Sequence, residues 1–396
     1  MSVDLSALRA QKITRLVETA RRLGLDNAAS LRKQDLVFEI IRRQPNGGSA
    51  RGSGVLEILP DGFGFLRSPD ANFLPGSDDI YVSPSQIRRF NLRTGDQIRG
   101  RVRSPKDGER YFALIKIERV NGRSPDDERD KILYDNLTAV RPFRALQIGD
   151  TIVGRMIDGY VPLAFGQRVL VLADARSGRS NLLARIAQAA SPKLTVLMLL
   201  IDERPEEITA MQRELSSIEV ISTTLDEPPS RHMQVAEMAL ERCKRLVEQG
   251  RDVMLLVDSL TRLTRALHAT DNRSTPDPQT VYRTRQFFAA GRQLEEGGSL
   301  TIIATALRGV DPTHADLVDE LHDASNAVLH LVAAPWLDEI PAGVPGLHLG
   351  HSFARQQELY LDKDGLLALR ARRKALSREP RESLAQALET VGGDEE

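Results

Sequence analysis

The segment "VLVLADARSGRSNLLARIA", residues 169–187, reads as a buried strand, a small loop and a helix, the layout that wraps a phosphate. In the pattern G-x-x-x-x-G-K-[ST], backbone N–H groups surround the phosphates, the lysine reaches the terminal ones and the hydroxyl ligates Mg²⁺. Within "ADARSGRS", 173–180, Gly178 and Ser180 keep their places, while Ala173 stands at the first glycine and Arg179 at the lysine. A guanidinium is planar and larger than an ammonium, so it is no simple replacement for a point charge held between phosphates. Asp174 adds a carboxylate, which at about 4 Å from one phosphate charge costs about 4 kcal/mol at an effective dielectric near 20. Pairing of Asp174 with Arg176 or Arg179 would relieve that cost and fill the pocket with protein charge. The plainer alternative is a loop that only joins strand to helix.

Two more segments end in groups suited to phosphate chemistry. "VLMLLIDERPEE" is an apolar strand that delivers Asp202, Glu203 and Arg204 at its carboxyl end, and "VMLLVDS" delivers Asp258 in the same way. Ligands of open α/β sheets bind at that edge. One acid ending a strand is commonplace; two on neighbouring apolar strands are less so. Five of the seven histidines fall between positions 314 and 351, but their spacing fits no metal-binding pattern and no cysteine joins them.

A third group of residues is aromatic. "DGFGFLRS", 61–68, places Phe63, Phe65 and Arg67 on one side of a strand, "DDIYVS" adds Asp79 and Tyr81, and "GERYFALIKI" adds Glu109, Arg110 and Tyr111. Aromatic rings on a barrel face stack on unpaired bases, each worth roughly 1–3 kcal/mol, and arginines hold the backbone. The competing reading puts these rings inside the barrel. Gly62 and Gly64, on either side of Phe63, favour an exposed ring with cleared space around it. Single-stranded nucleic acid is the expected partner.

Several elements must position these groups. Residues 1–46 read as short helices, with Leu8, Ile13, Leu16, Val17, Ala20 and Leu23 inward, a stop at Gly24, and Leu36, Val37, Ile40 and Ile41 inward on the next. "QPNGGSARGSG", 44–54, has the composition of a flexible linker. Residues 52–120 hold five short strands parted by Gly, Pro, Asp and Asn, which suggests a small closed barrel of the OB type. After a polar connector, 121–145, apolar runs at 168–173, 194–201, 252–257, 300–306 and 327–332 alternate with helices. That pattern predicts an α/β domain over 146–370 with a mostly parallel sheet covered on both faces. Residues 371–396 read as a charged helical tail.

Composition is that of an ordinary globular chain, 41% hydrophobic and 28% charged over 396 residues. The longest apolar run, "LTVLMLLI", is far short of the roughly 20 residues of a membrane-spanning helix. The single cysteine, Cys243, allows no internal disulfide and suits a reducing cytoplasm; its neighbours place it on the core face of a helix. The net charge of −1 hides a basic first third, where 21 Lys+Arg face 14 Asp+Glu in residues 1–120. Such a surplus is an electrostatic hint of a polyanion partner.

The stretches "GVLEILPDGFGFLRS", "DDIYVSPSQIRRFNLRTGDQIRG" and "GERYFALIKI" resemble the RNA-binding domain of the bacterial transcription termination factor Rho family. "LLIDERPEEIT", "EPPSRHMQVAEMALERCKRLVE", "DSLTRLTRA" and "EEGGSLTIIATAL" extend the resemblance, which runs roughly from residue 5 to 333. It implies an RNA site made of Gly62, Phe63, Gly64, Phe65, Leu66, Arg67, Asp79, Ile80, Tyr81, Glu109, Arg110 and Tyr111. It also implies a RecA-like ATPase that forms a six-membered ring with ATP and Mg²⁺ between neighbours. The implied nucleotide contacts are Ala164, Phe165, Gly166, Gln167, Arg168, Val169, Arg176, Ser177, Gly178, Arg179, Ser180, Asn181 and Arg204. Glu203 would orient the attacking water, and Asp258 with Ser180 would attend Mg²⁺. The implied partners are nascent single-stranded RNA, further copies of the chain, a resident Rho and RNA polymerase, with no membrane.

The chain departs from the family at four places. Arg179 replaces the loop lysine, "LHATDNRSTPDPQTVYRTRQFF" lacks the glycine-rich RNA-gripping loop, and "RGVDPTHADLVDE" lacks the lysine of the second pore loop. The arginine-finger position falls on His351, with Arg355 four residues on, after a Pro/Gly-rich stretch at 334–350. The expectation is an RNA-binding factor of transcription termination with weakened ATP turnover. The alternative is a non-catalytic paralogue that binds RNA or joins Rho rings and moderates termination.

Overall fold

The computed structural model describes residues 5–43, 50–106, 108–149, 151–270, 278–309, 312–333, 336 and 344–392. The chain divides into two compact units, Met1–Leu133 and Tyr134–Glu396.

The first unit opens with helices α1 (Leu5–Arg9), α2 (Ile13–Arg22) and α3 (Lys33–Arg42). Five strands follow, β1 (Ala50–Ile58), β2 (Gly64–Arg67), β3 (Ile80–Val82), β4 (Gln97–Arg103) and β5 (Phe112–Val120), with helix α4 (Pro84–Arg89) after β3. They close into a barrel in the order β1-β2-β3-β5-β4, antiparallel except between β3 and β5. Leu36, Val37, Ile40 and Ile41 of α3 are buried as their spacing predicts, and they share one core with Leu56, Leu66, Ile80, Ile98 and Phe112 of the barrel. Helices and barrel are therefore one folding unit. Ile13, expected inward, is instead half exposed at the start of α2.

The glycine-rich stretch after α3 is also not what its composition suggests. Residues 44–49 lie outside the described residues, but 50–54 belong to β1. A Cβ at Gly54 would lie 2.7 Å from the Arg67 carbonyl oxygen, and one at Gly52 2.5 Å from the Ile80 side chain. These glycines permit close packing of strands, not flexibility.

The second unit carries short strands β6 (Ala139–Val140), β7 (Ala145–Leu146) and β8 (Leu163–Ala164), with helix α5 (Ile152–Tyr160) between the last two. The main alternation is β9 (Arg168–Ala173), α6 (Arg179–Ala190), β10 (Thr195–Glu203), α7 (Pro205–Glu214), β11 (Glu219–Thr224), α8 (Pro229–Val247), β12 (Asp252–Asp258), α9 (Leu260–Thr270) and α10 (Pro278–Phe288). It continues with β13 (Arg292–Leu294), β14 (Ser299–Leu307), α11 (Pro312–Ala324), β15 (Ala327–Leu331), β16 (Phe353–Ala354), α12 (Lys363–Ala375) and α13 (Pro380–Gly392). The sheet runs β11-β10-β12-β14-β9-β15-β16, parallel from β11 to β15 and antiparallel at β16. The five apolar runs of the sequence are its central strands. Edge strand β11, half polar as "EVISTT", has no comparable apolar run.

Residues 371–392 of the expected charged tail pack onto the sheet domain; 393–396 lie outside the described residues. Leu384, Ala387 and Val391 on α13 enter the core of the sheet domain with Met156 and Ile157 of α5. Cys243 is fully buried on α8, and burial pushes its thiol well above the ordinary range.

Candidate nucleic-acid interface and nucleotide site

Strand alternation sorts β2 into two faces. Leu66 points into the barrel core, while Phe65 and Arg67 point to the outer face. There the Phe65 ring meets Tyr111 at 4.8 Å between centroids, Phe63 at 5.8 Å and Tyr81 at 6.1 Å, and Phe63 meets Tyr81 at 5.7 Å. Phe65 is covered by its neighbours rather than by the core; Phe63 and Tyr81 are half-buried and Tyr111 is 38% exposed. Phe65 of β2, Tyr81 of β3, and Phe63 and Tyr111, each just before a strand, thus form one aromatic platform. The flanking glycines act differently from the expectation. Gly62 adopts φ +83° in the turn before β2, with open space around it, whereas a Cβ at Gly64 would lie 2.6 Å from the Glu57 carbonyl oxygen. Gly64 admits β1, not a base.

Arg67 also departs from its expected role of holding a nucleic-acid backbone. It is 5% exposed, donates to Glu57 at 2.6 Å and to Asp79, and sits with its guanidinium 5.0 Å from the Phe65 centroid. Arg9 donates to neighbouring Asp78 at 2.6 Å. Glu57 and Asp79 therefore share the Arg67 guanidinium beside the Phe65 ring, while Arg9 serves Asp78. Burial pushes Asp79 up to about 6, against the opposing pull of Arg67 and the Gly76 N–H. Ile80 is fully buried, so its side chain, like that of Leu66, supports the face from within.

Beside the platform lies an open groove of about 660 Å³, lined among others by Tyr81, Ser83, Gln86, Arg103, Glu109 and Tyr111. Ser83 caps α4, accepting from the Gln86 N–H while its own N–H donates to the Gln86 side chain, which fixes Gln86 at the groove. Glu109 is fixed too: Arg103 donates to both its oxygens at 2.5 and 2.8 Å, and this hydrogen bond holds its carboxyl down to about 2. Arg110 is exposed. The groove thus offers a carboxylate that stays ionised, next to an exposed ring.

In the second unit the phosphate loop joins β9 to α6. Arg176 at φ 63° and Gly178 at φ 81° turn the chain, and the first N–H groups of α6, from Arg179 to Asn181, lack intrahelical acceptors by geometry. Ser177 is buried and donates to the Asp174 carbonyl at 2.8 Å. Asp174 pairs with neither Arg176 nor Arg179. Its partner is Arg308 at 3.3 Å, where β14 ends beside the loop. Arg179 instead reaches Asp258, with Nε 3.1 Å from Oδ1.

Asp258 ends β12 and is fully buried. Its Oδ2 accepts from Ser180 at 2.8 Å, and its Oδ1 accepts from Thr305 of β14 at 2.9 Å. Next to it, β10 carries a bulge where Asp202 adopts φ 54°, and the bulge re-aims Glu203. Glu203 is 8% exposed, ion-paired with Arg262 of α9, and accepts the Arg204 N–H at 3.1 Å. Burial works against the Arg262 charge, but the hydrogen bond and charge of Glu203 outweigh it and hold its pKa above the ordinary value. Ser180 and Asp258, assigned to Mg²⁺ by the resemblance, hold each other, and Arg179 fills the remaining side of the carboxylate. This arrangement does not fit Mg²⁺, which needs oxygen ligands at 2.0–2.1 Å in octahedral array.

Residues 52–126 match the family described as Rho termination factor, RNA-binding domain, and residues 7–49 match Rho termination factor, N-terminal domain. Residues 154–329 match the ATP synthase alpha/beta family, nucleotide-binding domain. The transcription termination factor Rho of Chromobacterium violaceum is 46% identical over 391 residues, covering 94% of this chain and 93% of that protein. The chain belongs to the transcription termination factor Rho family. The Rho of Escherichia coli K12 is 43% identical over 391 residues, with 94% and 92% covered. Among solved structures, an ATPase of a type III secretion system of pathogenic bacteria superposes with a TM-score of 0.51 at 25% identity, covering 61% of this chain and 70% of that one. An ATP synthase subunit from Nanoarcheaum equitans superposes with a TM-score of 0.52 at 19% identity, covering 61% and 62%, a likeness of fold.

As a Rho-family member the chain carries an RNA-binding OB-type barrel and a nucleotide-binding domain. Not every residue implied by the resemblance gathers at one place. Ala164, Phe165, Gly166, Gln167, Arg168 and Val169 lie at the amino end of β9, and the loop lies at its carboxyl end. From Arg168 to Ala173 the strand rises roughly 17 Å at about 3.3 Å per residue. Arg168 is spent there on the carbonyls of Ala324 and Gly291, at 2.6 and 2.8 Å, and the Gly166 N–H donates to Thr301. Within a single chain these six residues are not part of the phosphate-loop site.

His351 is exposed and lies with its ring centroid 4.1 Å from that of His348, tilted by 58°, and 6.0 Å from that of His330, while the Arg355 N–H donates to the Asn326 carbonyl beside β16. Burial, with Arg308 adding, pushes His330 down to about 4. Among the described residues no group of three or more His, Cys, Asp or Glu is placed to hold a metal ion. Residues 271–277 and 310–311, parts of the two pore-loop segments, and 334–335 and 337–343 of the Pro/Gly-rich stretch lie outside the described residues. Arg262, Thr305, Arg308 and Arg103 join these sites, although the sequence motifs assign them no role. Arg262, four residues after Asp258 on the first turn of α9, had a spacing signal; Arg308 had none.

Proposed function

We propose that this chain is an RNA-binding factor of transcription termination, acting in the cytoplasm on nascent single-stranded transcripts. The observation that carries the reading is the platform of Phe63, Phe65, Tyr81 and Tyr111, set on a buried charge cluster beside a groove with an ionised carboxylate. The Phe65 ring, held by Arg67 and by the other three rings, loses little freedom when a base stacks beside it. The chain self-associates into a ring, of six copies by analogy with the family, and takes ATP at the loop before α6. RNA polymerase and a resident Rho are the further partners of this reading.

ATP turnover is weak in this proposal, because Arg179 is committed to Asp258 and Glu203 to Arg262. The same observation favours a second reading, a paralogue that binds RNA and enters or moderates Rho rings without turnover. Titration of full-length protein with cytosine-rich single-stranded RNA, a duplex of the same sequence as control, tests the first statement. Affinity for the single strand should exceed that for the duplex and fall steeply with salt. RNA-stimulated phosphate release separates the two readings: slow release abolished by Glu203→Gln supports a weakened ATPase, and no release above background supports the paralogue. Equal binding of duplex and single strand would overturn both.

A further inference from the structure

We propose that Arg179 takes the place of the divalent cation in this nucleotide site, so that nucleotide binds here without Mg²⁺. The inference rests on the reading of residues 173–181 as a nucleotide site. Its basis is the occupancy of Asp258. This carboxylate is fully buried, and each of its oxygens is engaged: Oδ2 by Ser180 at 2.8 Å, Oδ1 by Thr305 at 2.9 Å and by Arg179 at 3.1 Å. A metal entering between Ser180 and Asp258 would have to break the Ser180 bond and eject the guanidinium, leaving two cations competing for one anion.

The geometry of arginine makes the substitution possible. A guanidinium presents five N–H donors in a fixed planar fork. Arg179 uses its Nε edge on Asp258, and its side chain keeps 17% of its surface exposed at the first position of α6. One group can therefore neutralise the buried carboxylate and donate to a phosphate at the helix start, where the positive end of the helix favours anions. A lysine ammonium is a point charge and leaves the carboxylate for a metal to share. Arg176 and Arg204, both exposed at the same edge, add positive charge without involving Asp258.

The test is equilibrium binding of a fluorescent ATP analogue to the full-length chain, in excess Mg²⁺ and in EDTA. The expected result is a dissociation constant that changes by less than about threefold between the two, while Arg179→Lys binds at least tenfold more weakly in EDTA than in Mg²⁺. If the lysine variant does not fold, Arg179→Gln replaces it and should lose at least tenfold in EDTA relative to wild type. Wild-type binding that weakens tenfold or more in EDTA overturns the inference and leaves the nucleotide site standing. An Arg179→Lys variant indifferent to metal overturns it as well, since the independence would not come from Arg179. Folded wild-type protein that binds under neither condition overturns both the inference and the nucleotide reading.

Discussion

Replacing Tyr111 by alanine isolates base stacking from folding. Tyr111 is the outermost ring of the platform, 38% exposed, and its main contact is the Phe65 ring at 4.8 Å and 62° between planes. An aromatic pair of this kind is worth about 0.5–1.5 kcal/mol beyond its buried area, so the stability loss should stay near 1–2 kcal/mol. Loss of one stacked base costs roughly 1–3 kcal/mol. At 1.36 kcal/mol per tenfold, affinity for single-stranded RNA should fall about 5- to 150-fold. The assay is fluorescence anisotropy of a labelled cytosine-rich oligonucleotide at two or more salt concentrations, with circular dichroism to verify folding. Because no phosphate contact is removed, the salt slope should stay that of wild type. Arg110→Ala should do the reverse, with a modest affinity loss and a slope reduced by about 0.7, the value for one phosphate contact on a single strand. A folded Tyr111→Ala protein within twofold of wild-type affinity would refute stacking on this face.

Three further outcomes follow from the packing and the buried charges. Asp79 is held at about 6, above the ordinary carboxylate value, so between roughly pH 4 and pH 6 the folded state binds the proton more tightly than the unfolded one. The stabilisation from that proton is complete below about pH 4 and is lost as pH rises through 6; Asp79→Asn should remove this slope, worth at most about 3 kcal/mol, from urea unfolding curves. Gly64→Ala puts a Cβ 2.6 Å from a backbone oxygen and should lower stability by about 1–3 kcal/mol, more than Gly62→Ala, which pays mainly for a left-handed backbone in open space; thermal melts that rank them oppositely would contradict the assigned roles. Leu384→Ala should cost about 2–5 kcal/mol, because α13 is part of the core, whereas a loosely attached tail would lose nothing measurable.

The sheet was legible because its central strands are buried on both faces and so read as unbroken apolar runs, as at Val169–Ala173 and Val253–Val257. β11 escaped because an edge strand needs no such run. The glycines misled in a consistent way: Gly52, Gly54 and Gly64 look like flexibility or cleared space in sequence, yet each exists because another strand passes within van der Waals range. That information is non-local and has no sequence signature. The aromatic side of the platform could be read from two-residue spacing. Its charged side could not, because whether Arg67 meets a phosphate or Glu57 depends on a partner ten residues away across a barrel.

The same limit governs Asp174, whose charge in the sequence looks like the main obstacle to a phosphate. In the folded chain three carboxylates at this edge each meet a guanidinium: Asp174 with Arg308, Asp258 with Arg179, and Glu203 with Arg262. An unpaired carboxylate 4 Å from a phosphate would cost about 4 kcal/mol at a dielectric near 20, which is close to a thousandfold in affinity. The Asp174–Arg308 pair is different, since its side chains are 40% and 36% exposed and its field is cancelled by its partner and screened by solvent. Neutralising Asp174 should then recover no more than about 1 kcal/mol, or roughly fivefold. Asp174→Asn is the suitable change, because it removes the charge and keeps the backbone N–H that donates to the Leu331 carbonyl at 3.1 Å. A gain of under fivefold in affinity for the ATP analogue places the restriction at Arg179 and its hold on Asp258. A gain of several hundredfold would show that Arg308 does not shield Asp174 and that the carboxylate itself repels the nucleotide.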